Sequence, residues 1–181
     1  MILVIFQIVH YNDLLLSPFQ FTNEEINLTK IGIIALNILA DVLYDLLKQD
    51  KTNLSQRSDY DITNLYKEHR QLNKHIPTNG WGGKWQFLQV TDIATGDDIE
   101  RIRLTRNELQ HSTAYSLSDT RFNELCNILS DLLKRFDQRI QPARDYTDQL
   151  TEILTKNVSA QEVQLIKNEI IGKDDLKIWN M

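Results

Sequence analysis

A disulfide framework is excluded at the outset, because Cys126 is the one cysteine of the chain and a thiol needs a second to pair with. Its position among apolar residues at helical spacing suits a small buried thiol, and the reading that follows is a reducing compartment, the cytoplasm. With 6 Gly and 3 Pro in 181 residues, there is little turn material for a β sandwich or barrel, so helices are expected throughout. Charge of one sign does not dominate either: the net charge of −5 argues against broad coating of nucleic acid. No uninterrupted apolar run is long enough to span a bilayer. Met1 to Val9 is too short and lacks the basic leader and cleavage site of a signal peptide, while Ile31 to Leu47 is broken by Asn37, Asp41 and Asp45, and charges in hydrocarbon are costly. That run is read as a buried core helix, with no membrane partner expected. Neither a phosphate-cradling glycine loop nor a nucleophile elbow nor a dinucleotide fingerprint is present.

What is present is helical periodicity. Thr22 and Glu25 form a capping box, after which Ile31, Ile34, Ala35, Ile38, Leu39, Val42, Leu43, Leu46 and Leu47 recur at helical spacing to about residue 50. A shorter helix is predicted over Asp61 to Asn73. Pro77, Asn79-Gly80 and Gly82-Gly83 then mark a loop from His75 to Gly96, with Trp81 and Trp85 read as its anchors on the core and less readily as platforms for nucleic-acid bases. Asp97 and Asp98 suit the positive end of a third helix running to about Thr113. Ser118 caps a fourth, with Phe122, Leu125, Cys126, Leu129, Leu132, Leu133, Phe136 and Ile140 as a wide apolar stripe. Pro142 suits the start of a fifth helix, to about Asn157. Ser159 and Glu162 make a second capping box before a last helix that Gly172 is expected to end. The predicted architecture is all-α, a single-domain helical bundle with a Trp- and Gly-containing loop before the third helix. Its parts are an apolar N-terminal extension, 1–22, the domain, 23–172, and a C-terminal tail, 173–181.

The third helix carries Arg106-Asn107-Glu108-Leu109-Gln110-His111. Cleaving RNA without a metal needs a proton-transfer group near neutral pH, a fixed cation for the charge that develops on phosphorus, and a polar group that orients them. Histidine and arginine meet the first two needs, and Asn107 suits the third. The bare spacing is common: about 0.6 matches are expected by chance in a chain of this composition, and Arg70 to His75 supplies a second, read as a decoy at a helix end. On an ideal helix Asn107 and His111 share a face with Arg103 one turn earlier, whereas Arg106 lies about 140° around the axis from His111. One straight helix therefore does not bring Arg106 and His111 to one phosphate. Either the helix ends near His111, or a second subunit completes the site.

The run from Gly96 to Ser112, with Ile76-Pro77 and Trp81 upstream and Leu132-Leu133-Lys134-Arg135-Phe136 downstream, resembles a HEPN domain of the type found in the DAZ-interacting zinc-finger ubiquitin ligase. The similarity spans roughly residues 23 to 172. The resemblance implies a helical bundle that dimerises with its arginine and histidine motifs facing across the interface, and it implies RNA as ligand. By carry-over Arg106 contacts phosphate, Asn107 orients, His111 acts on the 2′-hydroxyl or the leaving group, and Arg103 joins Arg106 in binding RNA. The alternative it implies is a non-catalytic dimerising module with protein partners in signalling or ubiquitin-ligase assemblies. No cofactor and no metal is expected, since His69 and His75 are six apart with no third ligand, and helix-start acids account for Asp97 and Asp98. Residues 101 to 144 carry eight basic side chains against five acidic, the remainder 12 against 20, so this segment is a candidate phosphate-binding face or a solvated helix surface.

Overall fold

The longest apolar stretch of the sequence becomes the axis of the molecule. The computed structural model describes residues 21–112 and 114–178, with side chains as far as residue 170; the extension expected over 1–22 lies almost wholly outside the described residues. Helix α1, Asn23–Asp50, has a mean hydropathy of 1.7 over its most apolar window, enough by composition to cross a bilayer, but 72% of that window is buried against the rest of the protein. It packs against all five other helices. Leu28, Ile31, Ile34, Ile38, Leu39 and Leu43 are at most 1% exposed, each contributing roughly 1.5–3 kcal/mol of burial. The capping box holds: Glu25 N donates to Thr22 Oγ1 at 3.2 Å and Thr22 N to Glu25 Oε2 at 2.9 Å.

Midway, Ala35–Leu39 forms a π turn, which interrupts the regular ladder of hydrogen bonds. The Leu36 carbonyl within it accepts from Arg57 Nη2 at 3.2 Å, and Arg57 Nε bonds Asp41 at 2.7 Å. The loop after α1 therefore braces the bulge.

Helix α2, Ile62–Leu72, starts at Asp61, whose carboxylate accepts from Asn64 N at 2.8 Å, and ends on Asn73 in the left-handed conformation at φ 51. His69 faces inward and is 1% exposed. Its Nε2 lies 2.9 Å from the Leu43 carbonyl; a carbonyl only accepts, so Nε2 carries the proton. Nδ1 is left buried without a partner, and burial above all pushes the ring below its ordinary pKa. A depressed histidine stays neutral in the folded protein while the unfolded chain takes up a proton. Stability should accordingly fall by up to about 1.4 kcal/mol per pH unit below pH 6.5. Beside it, Asp50 accepts from Lys74 and from His75 Nε2, the latter at 2.8 Å. Burial raises the Asp50 pKa, but those bonds outweigh it and hold the group below its ordinary value, so its contribution is lost only under about pH 4. The two windows are separate. Urea unfolding at stepped pH should show the pH 5–6.5 slope in the native protein and lose most of it in His69→Gln, which still donates to Leu43; an unchanged slope rejects this account.

Residues 73–94 form the expected loop, regular only in a short 3-10 turn at Trp85–Phe87. Trp81 donates to Asn73 Oδ1 at 2.9 Å and stands edge-on to Tyr66, while Arg121 lies over the Trp85 ring at 5.1 Å. Both tryptophans anchor the loop. Helix α3, Thr95–Gln110, starts two residues before Asp97 and includes Gly96. It stops short of the expected end; Thr113 lies outside the described residues.

Helix α4, Asp119–Ile140, is capped by Ser118 and buries Leu125, Leu129, Leu132, Leu133 and Phe136. Burial pushes the Cys126 thiol up to about 11, so it is not a thiolate near neutral pH. Helix α5, Tyr146–Thr155, begins four residues after Pro142, against expectation. Asp137 of α4 decides the start by accepting from Tyr146 N at 2.6 Å and from Thr147 N and Oγ1. Helix α6, Ala160–Ile178, has the predicted Ser159–Glu162 capping box. It runs on through Gly172, because a glycine inside a helix costs only about 1 kcal/mol and the helical ladder continues past it. The segment expected as a tail from 173 is thus helical to 178. Among the described residues there is no strand, and the all-α bundle stands as predicted.

Candidate functional site

Helix α3 divides into two halves of different chemistry. The first turns bury charge: Asp97 is 0% exposed, Asp98 2%, Glu100 1% and Arg101 7%, and buried charges need partners. Asp97 accepts from Thr78 N and Oγ1, both at 2.7 Å, and from Ala94 N at 3.1 Å. Asp98 takes Arg101 Nη1 at 3.0 Å and a two-pronged bond from Arg135, Nε at 2.7 Å and Nη2 at 2.6 Å. Glu100 accepts from the Tyr66 hydroxyl at 2.6 Å, from Gly82 N at 2.9 Å and from Arg103 Nε and Nη2 at 2.9 and 2.6 Å. Burial, then the bond to Glu100, pushes the Tyr66 hydroxyl up to about 12. Asp97 and Asp98 are therefore more than helix-start acids facing a dipole. They fasten α3 to the Trp/Gly loop and to α4.

The expected RNA-binding side chain Arg103 sits inside this network. Besides Glu100 it donates to the Gly83 carbonyl, and its guanidinium lies 5.4 Å from the Tyr66 ring centre. That geometry makes it a brace for the loop.

The last turn carries the motif. Arg106 and Asn107 are half-buried and His111 is exposed. Arg106 Nη1 donates to Asn107 Oδ1 at 3.3 Å, so the amide steadies the guanidinium and not, as expected, the imidazole. The final helical bond is His111 N to the Asn107 carbonyl at 3.1 Å. His111 is the C-cap, with φ −93 and ψ 6, and is exposed. Of the two alternatives posed by the spacing, the helix does end at His111.

The chain beyond is tied down. Tyr115, at φ 46 and 3% exposed, bonds the Thr29 hydroxyl of α1 at 3.0 Å and donates to the Val163 carbonyl of α6 at 3.2 Å. Leu117 N donates to the Glu24 carbonyl at 3.1 Å, and Asn27 Nδ2 bridges the Leu117 carbonyl and Asp119. His111 thus projects from a segment anchored on both sides.

Arg106 lines a narrow cleft of about 40 Å³ between α1, the start of α2, and α6, with Leu109, Asp61 and Glu169 among its neighbours; His111 is not part of it. A space that small holds a water or two, so a phosphodiester would lie across its mouth. Within one protomer the structure does not join Arg106 and His111 in a shared cleft.

Most of the basic side chains in the positive segment of the sequence are paired. Arg101, Arg103, Arg121, Lys134, Arg135 and Arg144 each pair with a carboxylate, Arg121 with Glu108 at 2.7 Å and Glu124 at 2.8 Å, and Arg139 donates to Thr95. The decoy histidine, His75, is held by Asp50. No group of three or more His, Cys, Asp or Glu positioned to hold a metal occurs among the described residues. Sequence reasoning missed Asp98, Glu100 and Tyr115 as the groups that set α3 and its end. The three close-set acids at 97, 98 and 100 are a signal, but besides near neighbours such as Arg101 and Arg103 their partners Thr78, Gly82, Tyr66 and Arg135 lie 18 to 37 residues away.

Fold and site together define an all-α domain built around one apolar helix, with an Arg-Asn-x-x-x-His sequence at a helix end. The chain belongs to the DZIP3/hRUL138-like HEPN family, whose model matches residues 24–167. No curated protein and no solved structure matches it.

Proposed function

We propose that this HEPN domain binds RNA by its phosphates and cleaves it without a metal at the end of α3, in a site that two copies of the chain complete. The observation that carries the reading is the helix end itself: His111 is an exposed C-cap on an anchored segment, and Arg106 is steadied by Asn107 one residue away. His111 takes the proton of the 2′-hydroxyl as its oxygen attacks phosphorus to close a 2′,3′-cyclic phosphate, and returns that proton to the departing 5′-oxygen; Arg106 meets the non-bridging oxygens as the P–O5′ bond breaks. Arg106 opens into a cleft that His111 does not line, so the two face one phosphate most simply across a two-fold axis.

Labelled single-stranded RNA incubated in EDTA with native protein, Arg106→Ala and His111→Ala tests this. Each variant should lose roughly 10²- to 10⁴-fold in rate. Mixing the two variants should restore part of the activity, since a mixed dimer rebuilds one complete site. Equal residual cleavage by native protein and His111→Ala ends the catalytic reading.

A second reading, a non-catalytic dimerising module for protein partners in signalling or ubiquitin-ligase assemblies, is favoured by one observation: six of the eight basic side chains between 101 and 144 already hold carboxylates. It predicts concentration-dependent dimerisation without RNA affinity at low salt, where phosphate contacts are strongest.

A further inference from the structure

The basic side chains that folding leaves without a carboxylate are not those the sequence singles out. Lys67 and Arg70 of α2 and Lys84 of the Trp/Gly loop are exposed, and none of them is in an ion pair or a hydrogen bond among the described residues. The carboxylates that flank them are engaged elsewhere: Glu68 with Lys51 at 2.7 Å, and Glu100 with Tyr66, Gly82 and Arg103.

One surface joins these three cations. Lys67 and Arg70 are three apart on a helix, so they are neighbours on one face, with about 5–6 Å between their Cβ atoms. Tyr66, in the same turn, ties α2 to α3 through Glu100 at 2.6 Å; its ring meets Trp81 edge-on at 5.7 Å and lies 5.4 Å from the Arg103 guanidinium. Burial above all, then Glu100, raises the pKa of the Tyr66 hydroxyl, and the charges of Arg103 and Arg70 both act against that rise. The Arg70 charge is therefore felt on the side of α2 that faces α3. Arg103 in turn donates to the Gly83 carbonyl, in the residue before Lys84.

The same surface leads to the motif. Asp61 and Ile62 at the start of α2 line the cleft with Arg106, at the far end of α3, whereas Tyr66 meets Glu100, early in α3. The two helices thus run antiparallel, side by side. At 1.5 Å per residue, Lys67 and Arg70 lie about 8 and 12 Å along α2 from Ile62. A strand with one phosphate at the end of α3 meets both as it runs along α2 toward the loop, and such cations hold phosphate oxygens without reading bases.

Resting on the RNA reading above, we infer that Lys67, Arg70 and Lys84 form a track for the phosphate backbone of single-stranded RNA, holding the strand beyond the scissile phosphate and taking no part in the bond-breaking step.

The probe is a labelled 12-nucleotide 2′-O-methyl oligouridine, which keeps every phosphate and has no 2′-hydroxyl to attack, followed by fluorescence anisotropy from about 50 to 200 mM salt. Lys67→Gln, Arg70→Gln and Lys84→Gln should each bind about fivefold more weakly at the low end. Each should also lower the slope of log affinity against log salt by about 0.7, the value for one phosphate contact to a single strand, and the triple variant by about 2. Lys134→Gln removes the same charge on α4, from a lysine that already holds Asp131, and should keep the native slope. All four side chains are exposed, so native melting temperatures are expected. An unchanged slope in the triple variant overturns the inference, as does an equal loss in Lys134→Gln. If the slopes fall as expected but the native chain leaves unmodified oligouridine intact, the track stands and the catalytic reading falls. If the native chain cleaves oligouridine and the triple variant keeps the native slope, the catalytic reading stands and the track falls. No binding by the native chain at low salt removes both.

Discussion

Gly96→Ala is expected to lose more than about 4 kcal/mol of stability, or to fail to fold. A Cβ at this buried position would stand 2.4 Å from the His75 carbonyl oxygen, 2.4 Å from Pro77 N and 2.6 Å from the Ile76 carbonyl carbon. All three are backbone atoms of the loop that crosses the start of α3, and backbone has no alternative rotamer to adopt. Relief requires α3 to move off the loop, which would part Asp97 from Thr78 and Glu100 from Gly82. The carboxylates left behind are buried, and their desolvation is then uncompensated. Gly32→Ala is the comparison: its closest contact, 2.4 Å to Ile166 Cγ2, is a side-chain methyl whose β-branched residue has no other easy rotamer, but a small shift of α6 away from α1 relieves it, so a loss of about 1–3 kcal/mol is expected. Urea unfolding followed by circular dichroism ranks the two, and Gly96→Ala within about 1 kcal/mol of native would show that the loop does not pack on α3 in this way.

Asp98→Asn should cost about 3–5 kcal/mol. Asp98 is 2% exposed and holds two guanidiniums, Arg101 at 3.0 Å and Arg135 at 2.6 and 2.7 Å. An asparagine of the same shape offers one acceptor oxygen and turns an NH2 group toward a cation. Arg101, 7% exposed, would be left with a neutral amide oxygen and the Gln89 carbonyl at 2.8 Å in place of its ionic partner. The reverse change, Arg135→Gln, should be milder, because Arg101 still neutralises Asp98. The double variant should cost less than the two single losses combined, since the groups act as one unit. A loss below about 1 kcal/mol in Asp98→Asn would remove the α3–α4 anchor from this account.

Much of the bundle is legible in the sequence, and for a local reason. The apolar spacing of α1 and α4, the caps at Thr22, Ser118 and Ser159, and the end of α2 near Asn73 all act between residues no more than four apart. The readings that failed depended on contacts outside that range. Pro142 is a good helix starter, yet α5 waits for Tyr146 because Asp137 lies in the preceding helix. The excess of basic residues between 101 and 144 counts side chains without their partners, and folding supplies those partners. For Arg103 the spacing gave the right helix face, but Glu100 and the Gly83 carbonyl claim its guanidinium.

By itself, then, the sequence determined a helical domain around one apolar axis, with an arginine, an asparagine and a histidine on its third helix, because periodicity and capping are short-range effects written in adjacent turns. Only the tertiary structure decided that the helix stops at His111, that Arg106 turns into a cleft shared with Glu169, and that Asp98 takes Arg135 from 37 residues away. Ion pairs and clefts are made by whichever segments the packed core brings together, and that choice belongs to the whole chain.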